Sequence, residues 1–237
     1  TYPNRFALLE ESPVSEVILD KQTTQLKIKT HTVIAEKVIL CTNGFEQFNI
    51  TNKAGGDINT VFHHLVRGSV GYMAGYLEPY QRSPIAISYL PKFEESNSAF
   101  TADPYFYVTR RTFDLKKKKQ SLICIGGPES LMDDTNNYHK AHPYPQEAQK
   151  AIDKFLHHTF KHSPKGNIKY KYKWHGLMGY TPNGVRCIGP ELLNPLLIYN
   201  LGCNGVGILP SIYAGKKVSQ FLNHEQLKPS VFDPQQS

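Results

Sequence analysis

The stretch that most constrains this chain is Leu197–Leu222, LIYNLGCNGVGILPSIYAGKKVSQFL. The apolar run Leu196-Leu197-Ile198-Tyr199 leads into it and is long enough for a buried strand. The chain then breaks into Gly202-Cys203-Asn204-Gly205-Val206-Gly207. It closes with Ser211–Leu222, where Ile212, Ala214, Val218, Phe221 and Leu222 are spaced for one face of a helix. Strand, glycine loop and helix together bring backbone N–H groups and a positive helix end up to a phosphate or another electron-rich ligand. The glycines let the backbone approach closely, because no Cβ intervenes.

Composition bounds the rest. A chain of 237 residues has room for one large domain or two small ones. Hydrophobic content of 40% and charge of 20% are ordinary for a soluble globular protein. No apolar run reaches the roughly 20 residues of a membrane span, and no signal-peptide pattern opens the sequence. A cytoplasmic location is therefore expected. The chain opens TYPNRFALLEESPV without a methionine, so a processed product or a fragment is expected.

The net charge is +7, much of it concentrated in the run Lys116-Lys117-Lys118-Lys119, which reads as a solvated hairpin tip. Lys165–Lys173 (KGNIKYKYK) alternates lysine with Ile168, Tyr170 and Tyr172, the period of a half-buried strand rather than a base-stacking platform. No nucleic-acid partner is expected. Cys41, Cys124, Cys187 and Cys203 are far apart and form neither a zinc spacing nor a redox pair. They read as buried free thiols of a reducing compartment. His158 and His162 have a helical spacing but no acidic partner, and read as a surface face, so no metal is expected.

Strands are expected over 12–20, 26–30, 31–35 and 37–41, the last ending in the sharp turn Thr42-Asn43-Gly44. Residues 49–60 read as a loop or boundary. Residues 61–76 read as strand with bulges at Gly68 and Gly71, followed by a strand over 84–90. Strands over 105–111 and 121–125 flank the lysine tip, and Gly126-Gly127-Pro128 ends that hairpin. Residues 145–162 form the clearest helix, with Ala148, Ile152, Phe155, Leu156 and Phe160 as one stripe and Ser163–Gly166 as its stop. Residues 169–173 read as strand. Trp174–Pro190 holds too many glycines and prolines for a regular element, and 223–237 decays into a polar tail.

Three pieces then line up in order: VILCTNG (Val38–Gly44), WHGLMGYTPNGVRCIGP (Trp174–Pro190) and NLGCNGVGILPSIYAGKKVSQFL (Asn200–Leu222). Together they resemble the C-terminal part of FAD-dependent oxidoreductases of the D-amino-acid oxidase and glycine oxidase type. The matching positions are Trp174, Gly176, Thr181, Asn183, Gly184, Ile188 and Gly189, then Gly202, Gly207, Ile208 and Gly215. The family's dinucleotide fingerprint, GxGxxG after a first strand, is not found in the sequence.

The resemblance implies a mixed α+β and α/β fold. A partial FAD-binding Rossmann-like domain (1–55 with 175–237) would accompany a mostly antiparallel substrate-binding sheet with flanking helices (56–174). The cofactor implied is FAD, held non-covalently if the missing N-terminal segment is supplied. Val14 would touch its adenine end. Cys41, Thr42, Asn43 and Gly44 would lie beside it. Gly202, Asn204, Gly205, Val206, Gly207 and Ile208 would offer N–H groups to the flavin's pyrimidine end. Tyr107, Arg110, Trp174 and Met178 would line the substrate pocket. The partner implied is a small amine or amino-acid-like substrate, whose C–N bond is oxidised by hydride transfer to flavin.

Met178 departs from the family, where glycine-oxidase-like members carry an arginine that clamps the substrate carboxylate. Either another cation, Arg110 or Arg67, holds an acid, or the substrate has no α-carboxylate there; the second is favoured. Asn183 replaces a usual aspartate, and Cys203 is also unusual. The competing expectation is a non-catalytic remnant of the same fold that does not bind FAD by itself.

Overall fold

In the computed structural model, residues 5–44, 48–81, 83–89, 106–132, 134–160 and 168–234 are described. Tyr105 and the helix-stop sequence Ser163–Gly166 lie outside them. The chain forms two compact units, residues 1–67 with 179–237 and residues 68–178.

The first unit holds two sheets over one core. β1 (Glu16–Leu19), β2 (Thr24–Ile28), β3 (His31–Ala35) and β5 (Asn49–Asn52) lie in the order β3-β2-β1-β5, with β5 parallel to β1. β4 (Val38–Leu40), β11 (Cys187–Pro190) and β12 (Leu197–Leu201) lie in the order β11-β12-β4. β12 runs parallel to β4 and antiparallel to β11. Leu197, Ile198, Tyr199 and Leu201 are all buried, because this central strand is covered on both faces. Val17, Leu19, Ile50, Phe62, Leu197 and Tyr199 share the core, and the Phe62 ring stacks 6.4 Å from that of Tyr199.

Asn194 ties this unit together. It is 3% exposed. Its Nδ2 donates to Asp20 O at 3.2 Å and to Asn52 Oδ1 at 3.0 Å, and its Oδ1 accepts from Leu196 N at 3.1 Å. One side chain thus joins the end of β1, the end of β5 and the entry to β12.

The second unit is a five-stranded sheet in the order β10-β6-β9-β8-β7. These are β6 (Arg67–Pro79), β7 (Ile85–Tyr89), β8 (Phe106–Leu115), β9 (Lys118–Met132) and β10 (Tyr172–Tyr180). β6, β9, β8 and β7 pair antiparallel. Helix α2 (Gln146–Thr159) covers one face, packing Ile152 and Leu156 against Ala74, Val108, Ile123 and Ile125. Phe106 stacks on Phe155 with centroids 4.2 Å apart.

Several expected boundaries move, each for a local reason. Residues 49–60, expected as loop, contain β5 and a short helix α1 (Asn59–Phe62). Asn59 substitutes for a strand neighbour there: its Oδ1 accepts from Ile50 N at 2.8 Å and its Nδ2 donates to Ile50 O at 3.1 Å. The lysine tip is narrower than expected, since only Lys116 and Lys117 turn, with φ of 49° and 64°, while Lys118 and Lys119 belong to β9. Gly126-Gly127-Pro128 does not end the hairpin, and β9 continues to Met132. Of the two expected bulges, the register shifts only between Gly71 and Met73.

Trp174–Pro190 is not irregular but holds most of β10 and all of β11. The C-terminal residues are not a loose tail up to Pro234. Ile188 N donates to Phe232 O at 2.7 Å, and Asp233 pairs with Lys217 on helix α3 (Ile208–Leu222). Lys217 is therefore buried on α3 beside Ala214 and Val218, while the expected core residue Ile212 is exposed.

Replacing Asn194 with alanine strands Leu196 N and Asp20 O, and leaves Asn52 Oδ1 with only its bond from Ala54 N. The expected loss is about 1–3 kcal/mol of unfolding free energy in urea titration. A variant as stable as the parent would show that Asn194 does not hold the strand ends together.

Candidate functional site

The loop between β12 and α3 is held from three directions within the first unit. Asn43, at φ 68° just after β4, accepts from Cys203 N on Oδ1 at 2.9 Å and directs Nδ2 at Cys203 Sγ, 3.6 Å away. Asn204, at φ 46°, accepts from Thr181 N on Oδ1 at 2.9 Å, and its own N donates to Gly179 O at 2.9 Å. Arg186 closes the third side, with Nε 2.9 Å from Asn200 Oδ1 and Nη1 3.3 Å from Gly202 O. Burial lowers the Arg186 pKa from the usual arginine value, but a guanidinium remains charged at neutral pH.

Gly202 has φ +78°, and a Cβ there would lie 2.5 Å from Thr181 Cγ2. Gly44, at φ +91°, would similarly put a Cβ 2.5 Å from Val66 Cγ2. Both turns therefore require glycine for their backbone and for their neighbours.

Helix α3 begins directly after the loop, with Gly207 as its N-cap residue. The first intrahelical bond from a following amide is Ser211 N to Gly207 O at 3.0 Å. The amides of Gly207, Ile208 and Leu209 consequently have no acceptor within the helix, and Pro210 has no N–H to satisfy. Around them Val206, Ile208 and Leu209 are 67%, 80% and 78% exposed. Backbone donors, a positive helix end, a fixed guanidinium and an exposed apolar rim suit a flat, electron-rich ring on which negative charge develops.

A second feature of this unit is a cleft of about 670 Å³. Val14 and Thr42 both line it, with Val17, Leu26, Val38 and Leu40 among its apolar walls. Val14 is half-buried, whereas Cys41 and Thr42 are exposed. Among the described residues, β4 pairs with β12 only, so its other edge is open.

The remaining candidates lie in the second unit. Tyr107 directs its hydroxyl at Met73 Sδ, 2.9 Å away. Both side chains crowd over Gly126, where a Cβ would come within 2.3 Å of each. Met178 lies over Gly71 in the same way, its Cε 2.6 Å from where a Cβ would be. Glycine thus makes room for a methionine and tyrosine surface on the sheet face away from α2. Arg110 alternates to the face opposite Tyr107. Its Nε donates to Ser83 O at 2.9 Å and its Nη1 bonds Gln81 Oε1. Trp174 stands four residues from Met178 along β10, roughly 13 Å at strand spacing, and lines a different cavity with Tyr138, Lys173 and His175. No group of three metal-ligating side chains occurs among the described residues, and no described helix is long and apolar enough to cross a membrane.

Comparison with known proteins places this arrangement. Residues 5–221 match the family described as DAO, FAD dependent oxidoreductase. The chain belongs to this family. Among solved structures, glycine oxidase from Geobacillus kaustophilus aligns at 12% identity and a TM-score of 0.58, over 96% of this chain and 52% of its own. L-proline dehydrogenase from P. horikoshii aligns at 16% and 0.65, over 95% and 54%. Amadoriase I from Aspergillus fumigatus, a fructosyl amine:oxygen oxidoreductase, aligns at 14% and 0.54, over 93% and 48%. No curated protein matches by sequence. The chain spans about half the length of these solved structures, whose likeness shows the fold.

Arg186 and the clamping role of Thr181 were not singled out in the sequence as site residues. Arg186 sits in the glycine-rich segment Trp174–Pro190, where an arginine between turn residues carries no periodic signal. Thr181 was visible only as a family position.

Gly202→Ala is expected to destabilise the protein, and to do so less in a Thr181→Ser background, where the clashing methyl is gone. A double-mutant cycle read by urea denaturation checks this, with a coupling of about 0.5–3 kcal/mol expected. Additive effects would contradict the packing described. Thiol labelling gives a second check. Burial pushes the Cys187 thiol up to about 12, so it stays protonated and unreactive near neutral pH, whereas Cys41 is exposed. Native protein should label at Cys41, and at Cys187 only after unfolding.

Proposed function

We propose that this chain is the C-terminal portion of an FAD-dependent oxidoreductase that oxidises the C–N bond of an amine or N-substituted amino acid. The observation that carries the reading is the clamped loop Gly202–Ile208, with unclaimed helix-terminal amides, a positive helix end and an apolar rim. Those features fit the electron-poor edge demanded of a flavin-facing surface, and FAD is the cofactor of the family. Bound flavin supplies the hydride acceptor. Gly205, Gly207, Ile208 and Leu209 offer backbone donors to its ring, the Val206 amide being spent on Cys203 O, and Arg186 fixes the loop while contributing positive charge. Val14, Thr42, Asn43 and Gly44 serve the cofactor from the β4 side, and the open edge of β4 accepts the dinucleotide-binding segment that carries the GxGxxG turn. FAD is held without a covalent bond.

On the substrate side, Tyr107 and Met178 present a surface that excludes water and lacks a carboxylate clamp. Arg110 is engaged by Ser83 and Gln81 and serves the sheet instead. Without a guanidinium at position 178, no bidentate partner meets an α-carboxylate there, which favours an amine or an N-substituted substrate over glycine.

The coding sequence upstream of Thr1 should encode, in frame, a strand, a GxGxxG turn and a helix. Protein carrying that segment should purify yellow and release FAD on denaturation. A true start codon near Thr1, with colourless protein that takes up no added FAD, would assign the chain instead to a non-catalytic remnant. For the flavoprotein, Met178→Arg is expected to raise kcat/KM for glycine by about tenfold or more, the effect of one added bidentate pair. Fast flavin reduction by glycine in the parent would overturn the substrate reading.

A further inference from the structure

The outer edge of the sheet in the second unit carries a cavity of about 650 Å³ between β10 and the segment leading into α2. One wall is locked. His175 Nε2 donates to His142 O at 3.0 Å, while the Tyr138 hydroxyl lies 3.1 Å from Nδ1 and donates to the His175 carbonyl at 3.2 Å. The Tyr138 ring meets His175 edge-on at 5.5 Å. The imidazole is thereby used up in building the wall.

Other groups are not used up. Lys173 Nζ stands 5.7 Å from the Tyr144 ring centroid and 5.9 Å from that of Tyr170. It donates one hydrogen bond, to Gln149 Oε1 at 2.5 Å, of the three an ammonium can give. Lys140 adds a second ammonium at the exposed rim. The Tyr144 hydroxyl is buried without a hydrogen-bond partner among the described residues. Burial raises its pKa, so it remains a donor at neutral pH. Trp174 offers an indole to the same space, and none of the lining residues is acidic. A buried donor left unmatched costs about 1–3 kcal/mol, which an accepting ligand would recover.

We infer that this cavity binds a planar carboxylate, with the anionic group on Lys173, Lys140 and the Tyr144 hydroxyl and the flat body against Trp174. Its lining residues belong to the second unit, whereas the loop proposed to face flavin belongs to the first. Two ammonium groups and a neutral phenol select the negative charge, and the aromatic lining selects the flat body. The volume is in the range of small-molecule sites.

Benzoate is the probe and benzamide its neutral counterpart. Trp174 is the only tryptophan among these 237 residues, and subtracting the signal of a Trp174→Phe variant isolates its emission in a longer protein. Benzoate should change Trp174 emission saturably, and benzamide should bind about tenfold more weakly or worse, as expected when a charge-assisted contact becomes a neutral one. Lys173→Met should weaken benzoate by a similar factor. Lys140→Met, at the exposed rim, should weaken it by less and supplies the comparison should the first variant fold poorly. No saturable change, equal affinity for benzamide, or affinity unaltered in both variants would overturn the proposal.

Discussion

Two asparagine side chains set the geometry on which the candidate cofactor surface depends. Asn43 and Asn204 each sit at positive φ and each spend their Oδ1 on a backbone amide from another segment, Cys203 N and Thr181 N. Positive φ is more accessible to asparagine than to most residues, because its short polar side chain can bond locally. The strain of the turn and the clamp on the loop therefore come from the same residues. The loop is fixed from β4 on one side and from Thr181 on the other, and the amides that open α3 have no acceptor in their own turn.

Crowded glycines recur wherever the structure needs another atom close to backbone. Gly202 accommodates the Thr181 methyl, Gly179 lies under Asn43 O, and Gly126 lies under Met73 and Tyr107. In the first unit this brings strands and loop together; in the second it lets large, soft side chains lie flat on the sheet. The surface proposed to meet the substrate is therefore apolar by construction of the sheet itself, in keeping with methionine rather than arginine at position 178.

This dual use of glycine also explains what was legible in the sequence. Leu197–Leu201 and α2 were readable, because continuous apolar character and a helical stripe are direct consequences of burial. The continuation of β9 through Gly126 and of β10 through Gly176 and Gly179 was not, because glycine marks a break and a close approach with the same letter. β5 was hidden because its partner at Ile50 is partly the Asn59 side chain, which no strand pattern encodes. The docked C-terminal residues were hidden because they hold on through scattered contacts, among them one backbone bond, the Lys217–Asp233 pair and the Tyr213–Phe232 ring contact. Of the site, the strand, loop and helix were visible, whereas the clamps are contacts between residues as far apart as 43 and 203.

Hydrogen exchange on the full-length protein, with FAD bound and after its removal, tests the central claim most directly. The loop reading predicts that FAD slows exchange of the amides from Gly205 to Leu209, together with those of Thr42 to Gly44. FAD-dependent protection confined to other segments, with the Gly205–Leu209 amides exchanging equally in both states, would contradict it.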